Sequence, residues 1–351
     1  AEFLAAERLR ILRDRGMSFR AVRRLLFAET KGKIIVRPSK RAVVGWLALQ
    51  EEGIFELLRD NEPAVLLDEG DPESLTQTQR NQALRAYSYR YGQGGWRGLQ
   101  VPHIQIHRFA SEELAGEIDR IWRNGVENPD VREVLIGLIE AGRINACADI
   151  AYHHACNAEA CEIERIMSLD ALVALDDERL SEISSAIASA DDLWPDRVAR
   201  SAVGRLFPKY MSIEQLCQTL RWVKPKNRGI GDLDWQLPRL IATSEFELST
   251  LEQLRDGLVA LMSEGLRWQK EWPHITNDRP HFSGALAATC ELGLSNGGGD
   301  GWYHASVLAL RLHNRDQGED DAIKSLQEQL TNLSANDTAS LFWAEDTFLQ
   351  S

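Results

Sequence analysis

The sequence predicts an all-α protein: an irregular helical subdomain followed by an α-solenoid of HEAT-like helix pairs. Three observations point there. Apolar residues recur at the helical period along nearly the whole chain, strand-like alternation is confined to Ile34-Ile35-Val36, and the helical segments after residue 124 come in short pairs. At typical domain sizes, 351 residues make about two or three domains or one long repeat array.

The first stretch, Ala1 to Arg15, already reads as a helix, with Phe3, Leu4, Leu9, Ile11 and Leu12 among Glu and Arg. No apolar run ahead of a small-residue cleavage site is present, so it is not a secretory signal, and a chain opening inside a helical pattern reads as a piece of a longer protein. Residues 1–124 then carry a second helix, the short strand Ile34 to Val36 closed by Arg37-Pro38, and helices joined by the loops Leu67 to Leu75 and Arg90 to Leu99. This is the irregular subdomain.

Residues 125–223 form the repeat region. Asn128-Pro129 places a capping side chain before a proline whose missing N–H costs nothing in a first turn. The pairs are Val131 to Ala141 with Ile144 to Ala155, Ile163 to Ala174 with Glu178 to Ala188, and Arg197 to Leu206 with Ile213 to Val223. A helix pair recurring every few tens of residues buries its apolar face only against its neighbours. Thr76 with Gln79, Ser212 with Gln215 and Ser249 with Glu252 have capping-box spacing. After a breaker-rich loop, Lys224 to Asp232, residues 233–351 resume the helical repeats. Their segments are Leu233 to Ile241, Leu251 to Arg267, Phe282 to Leu292, Trp302 to His313, Ala322 to Leu330 and Thr338 to Phe348.

Charge narrows the function. With 40 Lys+Arg against 53 Asp+Glu the chain carries −13, which opposes a nucleic-acid footprint over the whole surface. A local exception is Arg8, Arg10, Arg13, Arg15, Arg20, Arg23 and Arg24, read as an interdomain or surface ribbon. The five cysteines, Cys147, Cys156, Cys161, Cys217 and Cys290, are odd in number and scattered, which reads as reduced, mostly buried thiols in the cytoplasm. No apolar run approaches the roughly 20 residues of a membrane span.

Motifs for chemistry fail one by one. Gly32-Lys33 is followed by Ile34 and has Phe27 where a phosphate-binding loop needs its first glycine. Gly92-Gln93-Gly94-Gly95 lacks a preceding strand, so no cofactor is expected. Asp149, His153 and Cys156 fall on one face of a helix and offer oxygen, nitrogen and sulfur. Stacked on one helix, though, they span too far for a single tetrahedral ion without Cys161 or another element. Cys147 and His154 fall on the opposite, packed face with Ile150 and Ala151. The acidic groups Asp68, Glu69, Asp71 and Glu73, and Asp170, Asp176, Asp177 and Glu178, read as solvated loops. Ten tryptophans are an enrichment that inter-helix packing absorbs, with Trp302-Tyr303 after the loop Asn296 to Gly301 as the pair best placed for a partner surface. No catalytic, metal or cofactor residue is assigned.

Several short motifs appear in one order: Phe27-Ala28-Glu29-Thr30, Ile34 to Pro38, Arg41 to Leu49, Gly70-Asp71-Pro72-Glu73-Ser74-Leu75, Arg90-Tyr91-Gly92 and Trp96-Arg97-Gly98-Leu99. Over about Met17 to Val223 this resembles the segment that follows the nucleotide-binding module in large bacterial STAND-type (NACHT-like) NTPases, ahead of a HEAT-like array. The resemblance implies a non-enzymatic sensor or regulatory arm in defence or signalling. Its partner would be a protein or ligand, and the ATPase module would lie upstream in the same polypeptide. A metal-dependent all-α hydrolase using Asp149, His153 and Cys156, or a free-standing adaptor, are the alternatives.

Overall fold

A computed structural model describes residues 1–190, 192–223, 233–269, 274–276, 279–313 and 320–350. Among them the protein is all-α, with twenty α-helices and two short hairpins. Two units are distinguished, Ala1–Asp177 and Glu178–Ser351. The expected break near residue 124 falls inside the first unit. The expected loop 224–232 lies outside the described residues.

The first unit runs α1 (Glu2–Asp14), α2 (Phe19–Leu26), β1 (Phe27–Thr30), β2 (Lys33–Val36), α3 (Arg41–Ala48), α4 (Glu52–Asn61), α5 (Ala64–Asp68), α6 (Gln77–Tyr91), α7 (His103–Phe109), α8 (Ala115–Arg123), α9 (Pro129–Ala141), α10 (Ala148–Ala155) and α11 (Glu162–Leu175). The expected lone strand has a partner: β1 pairs antiparallel with β2, Phe27 opposite Val36, through a turn in which Lys31 and Gly32 have φ of 52° and 74°. Two successive left-handed residues give the twist that a two-residue hairpin turn requires.

One pattern recurs in this unit beside the packing of successive helices such as α10–α11 and α3–α4. A helix lies against the helix two places on, as in α1–α3, α3–α5, α4–α6, α5–α7, α6–α8, α7–α9 and α9–α11. The buried stripes match, with Leu47, Phe55, Leu58, Val65, Leu84, Ile118, Leu135 and Ile139 all closed to solvent. Because α7 packs on α9, the regular stacking begins well before the repeat region the sequence marks.

The second unit runs α12 (Leu180–Ala188), α13 (Asp196–Leu206), α14 (Ile213–Trp222), α15 (Leu233–Thr243), α16 (Leu248–Ser263), β3 (Arg267–Gln269), β4 (His274–Thr276), α17 (Ser283–Ser295), α18 (Asp300–Leu312), α19 (Asp321–Thr331) and α20 (Ala335–Gln350). The same pattern recurs from α12–α14 through α18–α20. One expected helix, Leu251 to Arg267, stops early: Gly265 turns to φ 76° and Arg267 enters a hairpin with β4.

The capping signatures sort themselves. Thr76 and Ser212 form full capping boxes with Gln79 and Gln215, and Asn128 accepts from the Asp130 amide. Ser249 does not cap, because α16 begins at Leu248 with Glu247 at its N-cap. An unexpected box uses sulfur: Cys161 Sγ accepts from the Glu164 amide at 3.5 Å while Glu164 reaches back to the Cys161 amide.

Candidate functional site: a cationic cleft

The face of α6 turned away from its buried Ala83, Leu84 and Tyr87 presents Gln82, Arg85, Ala86, Tyr89 and Arg90 at helical spacing. Facing them are Arg59 and Asp60 at the end of α4, Lys33 at the start of β2, and Tyr91 and Arg97 where α6 runs into its loop. Together they line a cleft of about 1000 Å³. Its described lining holds five cations and one carboxylate, in a chain of net charge −13.

Each wall has a local cause. The Val36 amide donates to Glu62 Oε1 at 2.6 Å, which fastens the hairpin bearing Lys33 to the end of α4. The loop bearing Arg97 is buttressed by the start of α9. The Glu127 and Asn128 amides both donate to the Gly92 carbonyl (2.8 and 3.0 Å), and Asn128 Nδ2 donates to the Tyr91 carbonyl at 2.8 Å. In return the Gly94 amide donates to Glu127 Oε2 at 3.1 Å and the Arg97 amide to Asp130 Oδ2 at 2.7 Å. Those two amides are committed to carboxylates and are not available to a phosphate. The loop's contribution to the cleft is the Arg97 side chain.

The cations are unequally held. Arg59 donates to Asp60 Oδ1 at 2.8 Å, and Arg85 to the buried Glu117 at 2.7 Å, with Arg120 on the same carboxylate. Arg97 spends one donor on the Gln93 carbonyl. Lys33 and Arg90 are exposed, as is Tyr89, which is 90% accessible.

Three acids in this unit, Asp68, Glu133 and Glu164, are withdrawn from solvent to different degrees. Burial pushes Asp68 up to about 6, with the Glu69 charge adding to the effect and Arg41, 2.8 Å away, opposing it. Glu133 is pushed up to about 7 by burial and by the charges of Glu164 and Asp130. Burial acts in the same direction on Glu164. There, however, His154, whose Nε2 lies 3.4 Å away, and Arg132, whose Nε donates at 2.8 Å, outweigh it and hold the carboxyl below its ordinary value. The loop acids read as solvated are therefore split: Asp68 and Glu69 sit half-buried on Arg41.

The other residues singled out from the sequence disperse. Asp149 and His153 are exposed on α10 and Cys156 is its C-cap. Cys147 and His154 are buried as expected, and no group of three or more His, Cys, Asp or Glu among the described residues is placed to hold a metal ion. The arginine ribbon divides. Arg10 pairs with Glu7 and Asp14, and Arg13 with Glu51, whereas Arg20, Arg23 and Arg24 line a small recess beside β1.

Trp302 and Tyr303 correct the partner-surface expectation: both are buried. Gly293 and Gly298 leave room for the Trp302 ring, which also lies under the Arg255 guanidinium at 4.6 Å, so the Gly-rich loop serves packing. The cleft itself was not singled out, although Arg85, Tyr89 and Arg90 at helical spacing were its signal. Compared with known proteins, the chain matches no protein-family model, no curated protein and no solved structure.

Proposed function

We propose that this chain is a non-enzymatic helical recognition and regulatory region, the sensor arm of a larger bacterial STAND-type NTPase acting in defence or signalling. The observation that carries the reading is the cationic cleft, a concave and locally positive surface in a chain of net charge −13. The recurring stacking of a helix on the one two places on supports a solenoid within each unit, an architecture that presents surface for binding. The STAND-type setting rests on the order of the short sequence motifs between Phe27 and Leu99 alone.

The test is the intact mass of the native polypeptide, detected in its source cells with an antibody to this region, alongside NTP turnover by the purified chain. A species much larger than 39.5 kDa with a phosphate-binding loop upstream is expected, with no turnover by this region alone. A species of 39.5 kDa overturns the sensor-arm reading, and turnover overturns the non-enzymatic one.

A further inference from the structure

We propose that the cleft of α6 takes a nucleotide, its phosphates on Lys33, Arg90 and Arg97 and its base against the Tyr89 ring. The inference rests on the recognition reading above and names the ligand class. Charge comes first. Asp60 and Glu117 answer Arg59 and Arg85, which leaves the positive charge of Lys33, Arg90 and Arg97 for an anion. Arginine forks and a lysine ammonium are the side chains that recognise phosphate oxygens.

The aromatic comes second. Tyr89 stands almost fully in solvent one helical turn from Arg85 and beside Arg90, so its ring face is open to a planar group. Base–aromatic stacking beside a cationic track is how unpaired bases are held. Size and global charge then choose between a small ligand and a polymer. A volume of about 1000 Å³ is at the upper end of small-molecule sites, and a long nucleic acid leaving the cleft would meet a chain of net charge −13. Arg97 is also preorganised, since the Asp130 carboxylate fixes its backbone before any ligand arrives.

Titration calorimetry on the full chain tests this with four probes: ATP, inorganic tripolyphosphate, adenosine, and a single-stranded RNA oligonucleotide. ATP is expected to bind once per chain and more tightly than either tripolyphosphate or adenosine. Tyr89→Ala should weaken ATP by about tenfold and leave tripolyphosphate unchanged, because only the stacking is lost. The pair Lys33→Ala/Arg90→Ala should weaken both by about tenfold or more. These side chains are exposed, so the variants keep the fold, which circular dichroism checks.

Absence of ATP binding overturns the proposal, as does ATP binding that none of these substitutions alters. Tripolyphosphate binding as tightly as ATP removes the role of the ring, and RNA binding more tightly than ATP at equal salt reassigns the cleft to nucleic acid. None of these outcomes touches the recognition reading, which fails on turnover or on the mass of the native polypeptide.

Discussion

Gly45 on α3 and Gly70 just after α5 lie back to back. A β-carbon at Gly45 would stand 2.7 Å from Glu69 Cβ, and one at Gly70 would stand 2.8 Å from the Gly45 carbonyl carbon. The close approach lets Arg41, at the start of α3, meet both Asp68 and Glu69. Gly45→Ala should therefore cost about 1–3 kcal/mol through overpacking against backbone, read from urea unfolding. Gly116 in α8 has nothing within 4 Å of the place a methyl group would take, so Gly116→Ala should be neutral or stabilise by up to about 1 kcal/mol.

Glu133 makes stability depend on pH with a definite sign. Its folded-state value, about 7, lies above the 4.5 of an ordinary glutamate, so the folded form holds the proton more tightly. Its contribution is complete below about 4.5 and is lost as the pH rises through about 7. Glu133→Gln should melt higher than the parent at pH 8 and equally at pH 4.5. A gap of the same size at both pH values would contradict this.

Glu164 runs the other way. Its carboxyl is fully buried and held below its ordinary value, so its stabilisation is present at neutral pH and is lost as the pH falls through that depressed value. Arg132→Met should cost about 3–5 kcal/mol, since a buried carboxylate loses its main partner and the Val126 and Glu127 carbonyls lose a donor. Glu164→Gln should cost clearly less, because Gln still serves the Cys161 box and Arg132 keeps those carbonyls. Denaturant midpoints of the two variants compare them directly.

Two hydroxyls with the same sequence signature should behave differently. Thr76→Ala removes a formed capping box and should cost about 1 kcal/mol, whereas Ser249→Ala, inside the first turn of α16, should stay within about 0.5 kcal/mol. Thermal unfolding of both variants decides it.

Much of the fold was legible because it is local. The helical period located α9 and α11 to α15, and Asn128-Pro129 marked where α9 starts, to within a few residues. What misled was chemistry shared between sites. The Ser249 spacing occurs one residue past a helix start, and sulfur at Cys161 caps a helix although Cys is not a usual cap. Phe27 to Thr30 has little strand alternation, and only the left-handed pair Lys31-Gly32 explains its pairing. Trp302 looked available because a flexible composition precedes it, but Gly293, a turn and more away on the facing helix, makes room for its ring. The cleft stayed hidden because Lys33, Arg59 and Arg97 reach it from three separate elements, and a sequence pattern shows only the share that α6 contributes.

The recurring packing of a helix on the one two places on has a kinetic consequence. Within each unit the partners of such a contact are neighbours along the chain, so little loop entropy must be lost before native contacts form, and the contact order is low. Folding can then start at several points in a unit and spread. In the second unit α20 packs on α18, whereas α17 is surrounded by α15, α16, α18 and α19, so amide exchange should be slower in α17 than in α20. Unfolding within a unit would then proceed in steps, helix by helix, rather than all at once.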